Sequence, residues 1–230
     1  MSRWVFYLGF VFSILSLLFF ADIGEDMTDA GWADLEMSLA APVLAGRSLL
    51  LTRVMRYLTL LGSFWCLAAI VIAVLASSRF GMRDKLCLLG LGVGEGSLNG
   101  FFKWWFGRPR PGEDYEPMVE ERYFSFPSGH SMGSLCVYGF TAYLLCRHFP
   151  RWRWPIRMLA LALVLAVGLS RVYLAAHYPG DVAGGFAAGI PCLFLALVFH
   201  QGLLLTGKGK SNVDADINPE QAAHQQERGG

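Results

Sequence analysis

Charge is what this sequence has least of. Only 16% of its 230 residues are Asp, Glu, Lys or Arg, against roughly 25% in a typical soluble domain. Neither sign prevails: 19 basic against 18 acidic residues leave a formal net charge of +1. That excludes the bulk positive charge by which nucleic acid is held through counterion release, so no nucleic-acid partner is expected. The five cysteines form no CxxC pair, and none stands near a histidine at zinc-site spacing. They read as small core residues, with no metal or redox site indicated. The apolar run after Arg3 has no A-x-A-like cleavage site behind it and is expected to be a retained anchor.

What fills the space left by charge is apolar: 54% of residues are hydrophobic and the mean hydropathy is +0.43. An ordinary soluble domain is excluded and an integral membrane protein is expected. Residues 4–21 and 57–78 carry no charge, while among charged residues and histidines 86–102 holds only Glu95, 126–146 only His130, 155–174 only Arg157 and Arg171, and 182–206 only His200. Each approaches the roughly 20 residues that a helix needs to cross a bilayer. The expected fold is therefore an all-α integral membrane bundle of six transmembrane helices over residues 1–206. Residues 207–230 are polar, Gly-rich and aromatic-free, and are expected to be a disordered cytoplasmic tail. Their Gly-Lys-Gly-Lys-Ser run lacks the spacing of a phosphate loop, so no nucleotide site is expected there. Between the first two spans, Trp32, Leu35 and Leu39 follow helical spacing, suited to a short interfacial helix or a surface loop. Gly92, Gly96 and Gly100, and again Gly180 and Gly184, recur every fourth residue, a pattern expected to let helix backbones approach closely.

Basic loops stay in the cytoplasm. Residues 79–85 hold three basic residues against Asp84, and 147–157 hold four with no acid. Both loops are placed inside, with both termini, in a cell inner (cytoplasmic) membrane. The acidic stretches at 22–36 and 113–121 then face the periplasm or exterior. Alternating helices bring three polar clusters to that outer face: Lys103, Arg108 and Arg110; Pro127, Ser128, Gly129 and His130; and Ser170, Arg171, His177 and Asp181. Taken singly, such cations snorkel into headgroups and such histidines are satisfied packing residues. Together, fixed cations, a helix N-terminus and two histidines describe a phosphate pocket. Ser128 and Gly129 open a helix whose N–H groups point outward, and Gly129 lets the backbone approach an oxyanion. His177 and Asp181 have the make-up of a nucleophile with its orienting acid, and His130 is placed to protonate a leaving oxygen. Lys103, Arg110 and Arg171 are suited to the charge of a phosphoryl transition state.

The series Lys103-x6-Arg110-Pro111, Pro127-Ser128-Gly129-His130 and Ser170-Arg171-x5-His177-x3-Asp181 resembles the three-part motif of the type-2 phosphatidic acid phosphatase superfamily. The resemblance implies a phosphatase that uses no metal or other cofactor and passes through a phosphohistidine. His177, Asp181 and His130 would be catalytic, and Lys103, Arg110, Ser128, Gly129 and Arg171 would bind phosphate. Arg108-Pro109 duplicates Arg110-Pro111; the six-residue spacing selects Arg110, leaving Arg108 as a helper or a headgroup contact. The expected substrate is a lipid phosphate or diphosphate in the bilayer: phosphatidic acid, phosphatidylglycerol phosphate, undecaprenyl diphosphate or a lipid A phosphate. A phosphotransferase using the same phosphohistidine, or a catalytically silent lipid-binding protein, is the alternative. The sequence fixes no oligomeric state. Glu95, eight residues before Lys103 and so about 12 Å down the helix, lines a substrate cavity, pairs with a neighbouring helix, or is protonated and hydrogen-bonded.

Overall fold

A computed structural model describes residues 3–27, 29–119, 121 and 123–217. Its elements are α1 (Arg3–Asp26), α2 (Ala30–Ala45), α3 (Leu49–Leu61), α4 (Phe64–Ala76), α5 (Met82–Phe106), α6 (Gly129–His148), α7 (Arg153–Tyr173) and α8 (Pro179–Ile217). Short 3-10 turns at Glu113–Tyr115 and Pro150–Trp152 complete them, and no strand occurs among the described residues. The all-α expectation holds. The disorder expected of residues 207–230 falls, beyond residue 217, outside the described residues.

Local chemistry sets the helix ends. Ser48, Ser63 and Ser128 each accept a hydrogen bond from the backbone N–H three residues on, at 3.3, 3.4 and 3.4 Å, and so cap α3, α4 and α6. The second expected span, 57–78, is divided here: α3 stops at Leu61, Gly62 closes it, and Ser63 starts α4. Uniform hydropathy concealed that break because a Gly-Ser pair changes the backbone without adding charge. At the other end of α5, Gly107 takes the left-handed conformation (φ 59°) and donates its N–H to Lys103 O at 3.0 Å. That turn throws the chain into the segment carrying Arg108 and Arg110.

Among the described residues three stretches are long and apolar enough to cross a membrane, Trp4–Asp26, Pro150–Tyr173 and Pro179–Gly202. The pair Gly31–Ala45 and Leu49–Leu61, bent by 118°, is a fourth if it forms one broken span. The outer surface agrees with a bilayer: Trp4, Leu8, Phe12 and Leu18 on α1 and Leu159 and Leu165 on α7 are all exposed. α6 is central, packed against α4, α5, α7 and α8, and α1 packs along α8. Phe140, Leu144, Leu88 and Val74 form the core at one end of the bundle, and Phe20, Ile23, Phe126 and Met132 the core towards the other. The cysteines are all unpaired, with Cys87 and Cys136 buried.

The glycine repeats divide in two. On α8 they are contact points: a Cβ on Gly180 would run into Glu36 Oε1 and one on Gly184 into the Phe126 ring, while on the adjacent Gly185 one would fall 2.6 Å from the backbone oxygen of Ser128. On α5 the expectation of close packing fails, since a Cβ on Gly96 or Gly100 would meet nothing within 4 Å and one on Gly92 only Val71, at 3.9 Å. Those three glycines line open space beside the bundle. Gly185→Ala should accordingly destabilise the protein by about 1–3 kcal/mol, because backbone cannot yield to the new methyl. Gly94→Ala, with nothing within 4 Å, should stabilise it by about 0.5–1 kcal/mol. Melting temperatures of the two variants in detergent check both signs.

Candidate active site

The turn between α7 and α8 puts His177 just before the helix and Asp181 in its first turn. His177 Nδ1 lies 3.3 Å from Asp181 Oδ2 and 3.3 Å from Ser125 Oγ. A carboxylate only accepts, so Nδ1 carries the proton and donates, which leaves the lone pair on Nε2. Nε2 faces Arg110 Nη1 at 3.3 Å.

Asp181 is wholly buried and fully used. Besides His177, it accepts from Arg108 Nη1 on Oδ1 at 2.7 Å, and on Oδ2 from the Tyr178 N–H at 2.9 Å and from Ser125 Oγ. Its backbone oxygen accepts the Ser128 N–H at 2.9 Å, joining the start of α8 to the start of α6. Arg108 is itself clamped, giving both terminal nitrogens to Glu36 of α2 and lying 4.2 Å over the Tyr178 ring. Glu36 is 1% exposed and also accepts the Gly180 N–H at 3.0 Å. The duplicated Arg-Pro is thereby divided: Arg110 touches His177, and Arg108 stands behind Asp181.

Arg110 is aimed by backbone oxygens, donating to Ala176 O at 2.6 Å and Tyr123 O at 2.7 Å. Lys103 Nζ donates to the carbonyls of Phe124, at 2.5 Å, and Ser125, at 3.2 Å. Arg171 is buried, with Nη1 on Thr59 Oγ1 at 2.8 Å and Nη2 on Glu121. Glu121 also pairs with Arg110 at 3.6 Å, bridging two of the cations. Burial pushes its carboxyl up, but Arg171 and Arg110 outweigh that and hold it below the usual range. Lys103, Arg110, Gly129, His130, His177 and Glu121 line one cleft of about 560 Å³. Ser128 does not line it: fully buried, its Oγ takes the Ser131 N–H and hydroxyl as the α6 cap. Gly129 sits where a Cβ would fall 3.0 Å from Asn99 Oδ1, so any larger residue there would press on the Asn99 side chain between cleft and α5.

Glu36, Ser125, Glu121, Asn99 and Thr59 were not singled out from the sequence. Glu36 and Glu121 read there as members of outer acidic stretches, and nothing in their spacing sets them apart from their exposed neighbours. Their importance comes from which arginine the fold brings to them.

The cleft also continues inward. Gly96, Asn99, Tyr123, Gly129 and His130 line both it and a larger apolar groove of about 820 Å³, walled by α4 and α5 through Leu67, Val71, Ile72 and Val93.

With this geometry in view, the comparisons with known proteins are direct. The family model of the PAP2 superfamily matches residues 85–204, which hold His130, His177, Asp181, Lys103, Arg108, Arg110 and Arg171. The chain belongs to the PAP2 superfamily. Among curated relatives, phosphatidylglycerophosphatase B of Bacillus subtilis is 37% identical over 174 residues, 74% of this chain and 84% of its own length. Lipid A 4'-phosphatase of Bacteroides thetaiotaomicron is 27% identical over 143 residues, 58% of this chain and 55% of its own. The crystal structure of a transmembrane PAP2 type phosphatidylglycerolphosphate phosphatase from Bacillus subtilis superposes with a TM-score of 0.77 at 32% identity, covering 83% of this chain and 96% of that one. Aquifex aeolicus LpxE, at 23% identity over 71% of this chain and 94% of its own, shares the fold with a TM-score of 0.62.

In this PAP2 protein the burial of His177 carries a pH consequence. Desolvation, only partly offset by Asp181, pushes the imidazole down from 6.5 to about 4. The folded state therefore binds fewer protons than the unfolded state between about pH 6.5 and 4, so stability falls as the pH is lowered through that window. His177→Asn should flatten this dependence, visible as a smaller drop in melting temperature between pH 7 and pH 4.5 than in the wild type. An equal drop would mean that His177 is not held neutral.

Proposed function

We propose that this protein hydrolyses a lipid phosphate or lipid diphosphate of the membrane through a phosphohistidine on His177. The observation that carries this reading is the adjacency of the two cavities. A cationic cleft lined by His177 shares its wall with an apolar groove, so one molecule can present a phosphate to the first and a hydrocarbon chain to the second. The relatives agree in kind, being named for phosphatidylglycerophosphate and lipid A; phosphatidic acid and undecaprenyl diphosphate carry the same two parts.

The phosphate displaces the Glu121 carboxylate from Arg110 and Arg171 and is also met by Lys103 and the N–H groups at the start of α6. The Nε2 lone pair of His177 attacks phosphorus. The bond to the lipid oxygen breaks, and His130 gives that oxygen its proton. The Asp181 carboxylate stays ionised and holds Nδ1–H while the ring becomes cationic. Water then attacks the phosphohistidine, His130 taking its proton, and the N–P bond breaks to release inorganic phosphate. Arg110 and Lys103, which line the cleft, and Arg171, which stands behind Glu121, supply positive charge to the oxygens that gain charge in both steps. The site lies at the start of α6, and the basic segment Arg147, Arg151 and Arg153 follows its far end. By the positive-inside rule the chemistry faces the periplasm or exterior of an inner membrane, with both termini inside.

Purified protein in detergent should release phosphate from phosphatidic acid in excess chelator. His130→Ala should lower that rate by about 10²-fold or more, yet lose markedly less on an aryl phosphate whose leaving group needs no proton. Equal losses on the two substrates would remove His130 from leaving-group protonation, and a wild type inert toward lipid phosphates would overturn the proposed activity.

A further inference from the structure

Glu95 is an acidic side chain in the apolar groove, and the catalytic scheme gives it nothing to do. Its place can be read from two close approaches between α5 and α6. Asn99 Oδ1 lies 3.0 Å from where a Cβ on Gly129 would stand, and Glu95 Oε1 lies 3.1 Å from where one on Gly133 would stand. The helices thus run antiparallel, with Glu95 one turn below Asn99 on α5 and level with Gly133 on α6. Gly133 is three residues after His130, on the same face of the helix and about 4.5 Å further in. Asn99 Nδ2 donates to Pro127 O at 3.2 Å and to the Met132 sulfur at 3.7 Å. Among the described residues no hydrogen bond is formed by the Glu95 carboxyl, which faces the groove one turn beyond the group that protonates the leaving oxygen.

A bound lipid phosphate runs past His130 towards Glu95, so the atoms at that depth are those a few bonds beyond the phosphate ester oxygen. In a glycerol-based phospholipid these are oxygens, a hydroxyl or an acyl ester. In a polyprenyl phosphate they are hydrocarbon. A carboxyl accepts from a hydroxyl in either protonation state, and when protonated it donates to an ester carbonyl. Left opposite hydrocarbon, it stays desolvated and unpaired, which is costly. We propose that Glu95 is a specificity-determining residue whose carboxyl hydrogen-bonds an oxygen of the lipid backbone next to the phosphate, so that the site prefers glycerol-based lipid phosphates to polyprenyl phosphates. This rests on the lipid-phosphatase reading above.

The test compares kcat/KM for dioleoyl phosphatidic acid and farnesyl phosphate in mixed micelles, for wild type, Glu95→Gln and Glu95→Met. Each variant's ratio of the two values is independent of how much of it folds. Glu95→Met should shift that ratio towards farnesyl phosphate by about tenfold, the loss of one hydrogen bond to a buried polar group. Glu95→Gln, which still donates and accepts, should stay within about threefold of wild type. An unchanged ratio in Glu95→Met, whether both rates fall together or neither falls, overturns the role of Glu95 and leaves the phosphatase reading standing. A wild type inactive on both lipids overturns that reading and this inference together.

Discussion

The carboxylate of Asp181 accepts from a histidine, an arginine, a hydroxyl and a backbone N–H. The rest of the site follows from that arrangement. Arg108 compensates the buried charge, Glu36 compensates Arg108, and the two ion pairs draw α2, the segment after α5 and the start of α8 onto one another. Removing one partner of such a network leaves an uncompensated buried charge, worth about 3–5 kcal/mol. Held this way, Asp181 fixes both the tautomer and the direction of His177, and its main chain aligns the first turn of α6 beside it. A helix far away in sequence, α2, is therefore part of what aims the imidazole.

The second constraint is the boundary between polar and apolar space. Lys103 and Arg110 are aimed by carbonyls of residues 123–125 and by Ala176 O, so their charges converge on the cleft instead of spreading into solvent. One helical turn away the lining is aliphatic. The glycines of α5 keep this passage open, since a side chain at Gly96 would project into space shared by cleft and groove. Charge at one end and hydrocarbon at the other is the shape of an amphiphile.

Much of this was legible in the sequence, unevenly and for physical reasons. Helical content followed from apolar run length, and the convergence of Lys103, His130 and His177 followed from helices that reverse direction. The pairing of His177 with Asp181 was visible because both lie in one turn. Glu36 was not, because its partner Arg108 is 72 residues away and its own helix reads as an interfacial amphipath. The break at Gly62 was missed because hydropathy is blind to backbone geometry. The glycine repeat misled on α5 because spacing alone does not say whether a neighbouring helix or a cavity stands opposite. Spacing from Lys103 already selected Arg110 of the two Arg-Pro pairs, whereas the role of Arg108 shows only in its contacts to Glu36 and Asp181.

The central claim is that the Asp181 network leaves Nε2 of His177 as the atom that takes the phosphoryl group. Rapid quenching of wild type with radiolabelled phosphatidic acid, under conditions that preserve phosphoramidates, followed by peptide mapping, tests it directly. The account predicts an acid-labile phosphate on Nε2 of His177, absent from His177→Ala and diminished in Asp181→Asn. A phosphate found on His130, or turnover with no trapped phosphoenzyme at any quench time, would contradict it.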